Sequence, residues 1–251
     1  MMKLAGKNVI ITGATSGIGR ACAIECNTAG ANVHAFGRNK ELLSDMVENM
    51  RGDRNSFHGI DLRNTSDISQ IINEIVKSYG KIDGFIHSAG YQITAPIKSM
   101  TVDQYLDIML VNTLSAFEIT KNLALRKNHT KENLKIVFIS SIMSVIAYPG
   151  LVAYCASKAA LVGGARALAA ELAPKGVCVN CISPGHLSDT NMVIELQALM
   201  SEEKLKKMNS EYPLGLGTTN DVANVAVFLL SDGSKWITGQ NFIVDGGRSI
   251  S

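Results

Sequence analysis

Two groups of residues in this 251-residue chain have the types and spacing that chemistry requires. The first is Tyr154, followed four positions later by Lys158. Residues four apart share one face of a helix, about 6 Å apart along its axis. A free phenol has a pKa of about 10 and does not readily exchange a proton as phenolate at neutral pH. Lowering that value by about three units takes roughly 4 kcal/mol. One cation at about 4 Å supplies energy of that order in a partly desolvated site. Tyr154 therefore reads as a general acid/base and Lys158 as its tuner, although a Tyr-x-x-x-Lys pair alone is also common on solvated helices. The second group is Thr12-Gly13-Ala14-Thr15-Ser16-Gly17-Ile18-Gly19. Glycines at such a turn let the backbone approach a pyrophosphate, and a helix opening there presents free N–H groups and a favourable dipole. The spacing G-x-x-x-G-x-G differs from the usual G-x-G-x-x-G, so strand–turn–helix context carries the argument. Gly13, Thr15, Ser16, Gly17, Ile18 and Gly19 are the candidate phosphate contacts.

The surrounding pattern supplies that context. Short apolar runs at 8–12, 32–36, 55–60, 82–87, 134–140, 177–182 and 241–244 alternate with helical patterns at 17–29, 39–50, 65–79, 101–126, 151–173 and 219–231. Most of the apolar runs are continuous, as strands covered on both faces are. The alternation predicts a single-domain, Rossmann-like α/β fold: a doubly wound parallel sheet with helices on both faces. The whole of 1–251 reads as one domain, since α/β domains of this length are common and no linker interrupts it. The stretch 186–213 breaks the rhythm after the sixth strand and carries Met192, Met200 and Met208. An insertion there lies at the carboxyl ends of the strands and reads as a substrate lid, with a packed structural helix as the plain alternative.

Composition narrows the class. Hydrophobic residues make up 46% and charged residues 18%, with a net charge of +2. That balance argues against nucleic-acid or anionic-membrane partners, which require a basic patch. Five cysteines suggest no disulfide framework and a reducing compartment. Cys178 and Cys181 lie in an apparent buried strand, where residues three apart face opposite ways, so no metal site is expected. No signal peptide and no apolar run of about 20 residues is visible, which predicts a cytoplasmic protein.

Taken together, several motifs resemble the short-chain dehydrogenase/reductase family over essentially the whole chain. They are T-G-x-x-x-G-I-G at 12–19, Asp61-Leu62, Ala89-Gly90, Asn112, Ser141 thirteen residues before Tyr154, Lys158, Asn180 with Pro184-Gly185, and the closing Thr238-Gly239-Gln240 and Asp245-Gly246-Gly247. The resemblance implies a nicotinamide-dependent oxidoreductase. It implies that Tyr154 exchanges a proton with the substrate oxygen, that Ser141 hydrogen-bonds that oxygen, and that Lys158 binds the nicotinamide ribose. Asn112 would hold a relay water. Asp61 and Leu62 would contact adenine, and Ala89 and Gly90 would line the cofactor. Pro184, Gly185 and Thr190 would border the nicotinamide. Two departures stand out. His87-Ser88 replaces the usual Asn-Asn, which weakens an expected tie between neighbouring strands. Asp189 stands where a threonine is expected, with Thr190 one position later.

Specificity follows from the same resemblance. Gly37 stands where relatives using NAD carry Asp, and Arg38 follows with a guanidinium suited to a 2′-phosphate. NADP is therefore the expected cofactor and NAD a possible one. Ser16 stands where many NADP users place a second basic residue, which implies preference rather than exclusivity. The length and ending are similar to 3-oxoacyl-acyl-carrier-protein reductases, implying reduction of a ketone to a secondary alcohol, with a 3-oxoacyl thioester as one substrate class. Against carrier docking, Glu132 and Ala170 stand where arginines are typical. The alternatives are a sugar, steroid or other small-alcohol dehydrogenase, or a non-catalytic cofactor sensor. The small-residue helix 151–173 has little polar outer face, which predicts a homotetramer.

Overall fold

The computed structural model describes residues 4–130, 134–190, 194 and 201–251. Seven strands form one wholly parallel sheet: β1 (Asn8–Thr12), β2 (Asn32–Gly37), β3 (Ser56–Gly59), β4 (Gly84–His87), β5 (Leu134–Ile139), β6 (Val177–Pro184) and β7 (Asn241–Val244), in the spatial order β3-β2-β1-β4-β5-β6-β7. The chain builds outward from β1 through β3, then returns to build the other half from β4. That reversal between β1 and β4 is where ligands bind in such sheets, at the strands' carboxyl ends.

The continuous apolar strands divide by alternation, as successive side chains must. Val9, Ile11, Val33, Ala35, Ile86, Val137, Ile139 and Ile182 face one layer. There they meet α1 (Gly17–Thr28) and the late helix α8 (Thr219–Leu230). Ile10, Phe36, Phe85, Ile136, Phe138 and Val179 face the other layer, against α3 (Ile68–Tyr79), α5 (Ser115–Leu123) and α6 (Val152–Leu172). In α3 the buried residues Ile68, Ile72 and Ile75 follow the helical i, i+4, i+7 spacing. A further helix, α2 (Lys40–Glu48), connects β2 to β3. At the amino ends, the Asn8 side chain donates to the carbonyls of Tyr79 and Lys81, each at 3.0 Å.

The continuous helix expected at 101–126 is interrupted. α4 (Val102–Met109) leads into a π-helical turn, Leu110–Leu114, before α5 begins. Local side chains favour the interruption: Thr113 Oγ1 donates to the Ser157 carbonyl at 2.9 Å, and Ser115 Oγ to the Val111 carbonyl at 2.8 Å. Such single-turn insertions occur mostly where a side chain must be aimed. Here the turn presents Asn112. Of the stretch 186–213, α7 (Glu202–Ser210) is described, while Met192 and Met200 lie outside the described residues. Met208 and Tyr212 are buried. No described helix is long and apolar enough to cross a membrane.

Candidate active site

The glycine turn follows directly from β1. Gly13 has φ +69°, and a Cβ there would sit 2.8 Å from the Ala89 amide nitrogen. A Cβ on Gly19 would fall 2.2 Å from the Gly13 carbonyl oxygen. Only glycine lets the turn close this tightly against both the following helix and the β4 loop. Ser16 occupies the N-cap of α1 without a side-chain cap bond, which leaves first-turn amides of Gly17, Ile18 and Gly19 available to an anion. The cradle thus fits a dinucleotide's pyrophosphate. Thr190 stands beside it, its methyl 3.8 Å from the Cβ position of Gly17.

Asp189 has a different task from the threonine it replaces. Its carboxylate accepts from the Thr219 amide at 2.9 Å and the Thr219 hydroxyl at 2.7 Å, which caps the amino end of α8. The turn then delivers Thr190 to the glycine loop. The second departure also resolves. Thr12 pairs with His87 in the β1–β4 register, and its Oγ1 lies 3.0 Å from His87 Nδ1. The same oxygen accepts from the Ser88 and Ala89 amides, each at 3.2 Å. The strands are therefore tied through threonine and histidine, contrary to the expected weakening.

Where the resemblance places the adenine, Arg38 is exposed just beyond β2. A Cβ on Gly37 would meet the Thr15 methyl at 2.9 Å, so packing against the turn is one reason for glycine there. Asp61 is exposed, and its carboxylate accepts from the Arg63 amide at 3.0 Å. The Leu62 side chain is buried in the core, which leaves its main chain for adenine. A cluster that sequence reasoning missed lies alongside. Arg63 grips Asp107 through two bonds, at 2.7 and 3.0 Å, and Tyr91 donates its phenol proton to the same carboxylate. The Arg63 guanidinium, followed by the Tyr91 bond, holds the Asp107 carboxyl below the usual range.

The structure brings Asn112, Ser141, Tyr154 and Lys158 together at the switch point. Asn112 Oδ1 accepts from the Tyr91 amide at 3.0 Å, while its Nδ2 donates to the Tyr91 carbonyl at 2.9 Å and Ser157 Oγ at 3.0 Å. A Cβ on Gly90 would lie 3.1 Å from Asn112 Oδ1 and 3.3 Å from Lys158 Nζ, so glycine here keeps a path open beside both. Ser141 caps a short turn after β5, accepting from the Met143 amide at 3.2 Å. Its hydroxyl faces the Tyr154 phenol and favours release of the phenol proton.

Lys158 Nζ donates to the Ile139 carbonyl at 2.9 Å and lies over the Tyr154 ring, 5.8 Å from its centre. Its hydrogen bond thus goes to the main chain and its charge to the ring of Tyr154. Burial pushes the Tyr154 pKa up, while the Ser141 hydroxyl opposes it. Burial also lowers Lys158 to about 8. The phenol is accordingly a protonated hydrogen-bond donor at neutral pH, suited to giving a proton to an oxygen that gains negative charge.

β6 ends at Pro184, and Gly185 follows; both are expected to border the nicotinamide. A Cβ on Gly185 would lie 2.9 Å from the Tyr212 ring, so the tail of the 186–213 stretch packs directly on this loop. Arg248 donates to the Tyr148 hydroxyl at 2.7 Å and pairs with Glu211 at 3.1 Å. Tyr148 in turn packs against the cluster that holds Tyr154.

Residues 13–249 match the family model described as enoyl-(acyl carrier protein) reductase. The chain is 34% identical to the 3-oxoacyl-[acyl-carrier-protein] reductase of Aquifex aeolicus, over 98% of each chain. It is 30% identical to the glucose 1-dehydrogenase of Gluconobacter oxydans, over 99% of this chain and 94% of that one. Among solved structures, a putative short-chain alcohol dehydrogenase from Sinorhizobium meliloti superposes with a TM-score of 0.92 at 29% identity, covering 99% of this chain and 98% of that one.

Proposed function

Because the chain belongs to the short-chain dehydrogenase/reductase family and is an oxidoreductase acting between CH–OH and C=O, we propose that it uses NADPH to reduce a ketone to a secondary alcohol, with 3-oxoacyl thioesters as the substrate class. The observation that carries the direction is the buried Tyr154 phenol, raised by desolvation and facing Ser141. A protonated donor at neutral pH serves carbonyl reduction directly; alcohol oxidation first requires the phenolate.

The bound nicotinamide supplies the hydride. Ser141 orients the substrate carbonyl through its hydroxyl. Tyr154 donates the phenol proton to the carbonyl oxygen as negative charge develops there. Lys158 stabilises the resulting phenolate and holds ribose hydroxyls. Asn112, fixed by Tyr91 and Ser157, keeps a water in place to return the proton to the Lys158 side. The amides of Gly17, Ile18 and Gly19 take the pyrophosphate, and Arg38 the 2′-phosphate. Residues 186–213 act as the lid, with NAD as the weaker cofactor.

Support for the thioester class comes from the similarity to the Aquifex reductase. A sugar substrate is the second reading. It is favoured by the Gluconobacter relative and by exposed Ala170, uncharged where carrier docking calls for a cation. Glu132, the other position at issue, lies outside the described residues. A panel of 3-oxoacyl thioesters, sugars and small ketones, with NADPH and NADH consumption followed by absorbance, decides between them. Turnover of thioesters is expected; turnover of sugars alone overturns that substrate class.

A homotetramer completes the proposal. Ala156, Ala159, Gly163, Ala167 and Ala170 form an exposed small-residue stripe on α6. Val102, Leu106, Leu114 and Val152 are also exposed on this side of the sheet's helical layer. A symmetric helix-to-helix interface buries such a surface. Light scattering is expected to give four copies, and a stable monomer at micromolar concentration rejects it.

A further inference from the structure

His87 is completely buried and has no part in the chemistry described so far. Its surroundings fix its hydrogens. Thr12 Oγ1 already accepts from two amides, so its own hydrogen points to His87 Nδ1 at 3.0 Å. A neutral imidazole that accepts at Nδ1 carries its proton on Nε2. Nε2 has no hydrogen-bond partner among the described residues. The acceptors near it are the main-chain carbonyls of Val111 and Asn112, inside the π-helical turn. The ring is locked edge-on by Phe85 at 6.2 Å and Phe138 at 6.4 Å. The charged group facing it is Lys158.

We propose that His87, its Nε2–H buried against the carbonyls of the Leu110–Leu114 turn and free to donate to them, is a positioning residue that couples the phosphate-binding turn to Asn112. One side of the imidazole is fixed by Thr12, the residue before Gly13. The other side restrains the π-helical turn whose Asn112 side chain reaches Tyr91 and Ser157 and borders Lys158. A neutral ring is essential to this role, because an imidazolium would repel the Lys158 ammonium. Burial, together with that ammonium, lowers the His87 pKa to about 3. Replacing a family asparagine by histidine thus exchanges a short amide for a rigid connector between two parts of the site. The loop amides that bind Thr12 keep their partners.

The test has two arms, of which only the kinetic one rests on the proposed reductase reading. Long-range proton–nitrogen NMR on the full chain with labelled histidine reports the tautomer directly. His87 is assigned by the signal lost in both His87→Gln and His87→Phe. The expected signal is Nε2-protonated with Nδ1 as acceptor, and it does not titrate from about pH 5 to 9. An Nδ1-protonated ring, or titration near the ordinary histidine value, overturns the proposal whether or not a substrate is known. With a 3-oxoacyl thioester and NADPH, His87→Phe is expected to lower kcat about tenfold, the scale of a slightly misplaced group. The thioester KM stays within about twofold, and the pH profile of kcat shifts as Lys158 and Asn112 lose their register. His87→Gln keeps a donor and recovers a large part of the loss. A folded His87→Phe with unchanged kcat and pH profile overturns the proposal. Absence of turnover by the unaltered protein rejects the reductase reading and leaves the NMR result to decide this one.

Discussion

Lys158→Met exchanges a buried ammonium for an apolar thioether of similar length and nearly equal helix propensity. The lysine is 4% exposed, and burial lowers its pKa from 10.5 to about 8. A shift of that size corresponds to about 3 kcal/mol of fold stability lost at neutral pH, at roughly 1.4 kcal/mol per unit. The substitution removes that cost. It also leaves the Ile139 carbonyl without its donor, a loss of about 1 to 2 kcal/mol. The variant is therefore expected to be more stable than the parent by about 1 to 2 kcal/mol at pH 7. The sign with pH follows from the depressed lysine. Between about pH 8 and 10.5 the unfolded chain binds the proton that the folded chain has released, so the parent gains stability relative to the variant as pH rises. Parallel urea melts of both proteins at pH 7 and in the alkaline window measure the difference, in which the other titrating groups largely cancel. Turnover falls at least about tenfold because the phenolate loses its cation. A variant less stable than the parent at pH 7, or an advantage that does not shrink with rising pH, refutes the reasoning.

Tyr154→Phe is expected to remove at least about 10²-fold of kcat while the fold and cofactor binding survive; near-normal turnover rejects Tyr154 as the proton donor. Arg38→Ala should weaken kcat/KM for NADPH at least about tenfold through loss of a charge-assisted phosphate contact, with NADH within about twofold. Equal losses for both cofactors reject the 2′-phosphate assignment. Burial pushes the thiols of Cys22 and Cys181 up to about 12 and that of Cys26 well above its usual value. Maleimide should therefore label Cys155 and Cys178 in the native protein, and the other three only on unfolding, as peptide mapping would show.

The sheet was legible because most of its strands are continuous apolar runs, and its seven positions needed adjustment only at the ends. The four residues gathered at the switch point were legible by type and order, since Tyr154, Lys158, Ser141 and Asn112 lie at recognisable intervals. The π-helical turn was not. One extra residue in a helix leaves the apolar pattern on either side intact, so the stretch 101–126 reads as continuous. The hydrogen-bond partner of Lys158 was also hidden. Four residues of separation fix a shared face but not which oxygen the ammonium chooses, and here it chooses the Ile139 carbonyl. His87 and Asp189 looked like lost contacts because sequence shows the missing side chain and not the new partner. Thr12 and Thr219 are those partners, and both lie far away in the chain.

The tie made by Asp189 has a consequence for how substrate range changes. Leu187 bridges to Gly217, the Ser188 amide donates to the Gly217 carbonyl at 2.9 Å, and Asp189 holds Thr219. The chain between these points leaves and re-enters the domain at this clasp, and its tail returns to the domain earlier, with Tyr212 against Gly185 and Glu211 paired with Arg248. The entropy of bringing the two ends together is met by these contacts, and lengthening the intervening chain twofold adds only about 0.6 kcal/mol. Segments of other lengths and compositions, carrying other substrate contacts, can be grafted between Thr190 and Met208 while the sheet and the nucleotide half remain as they are. Selection for a new substrate has a place to act that is insulated from the requirements of folding.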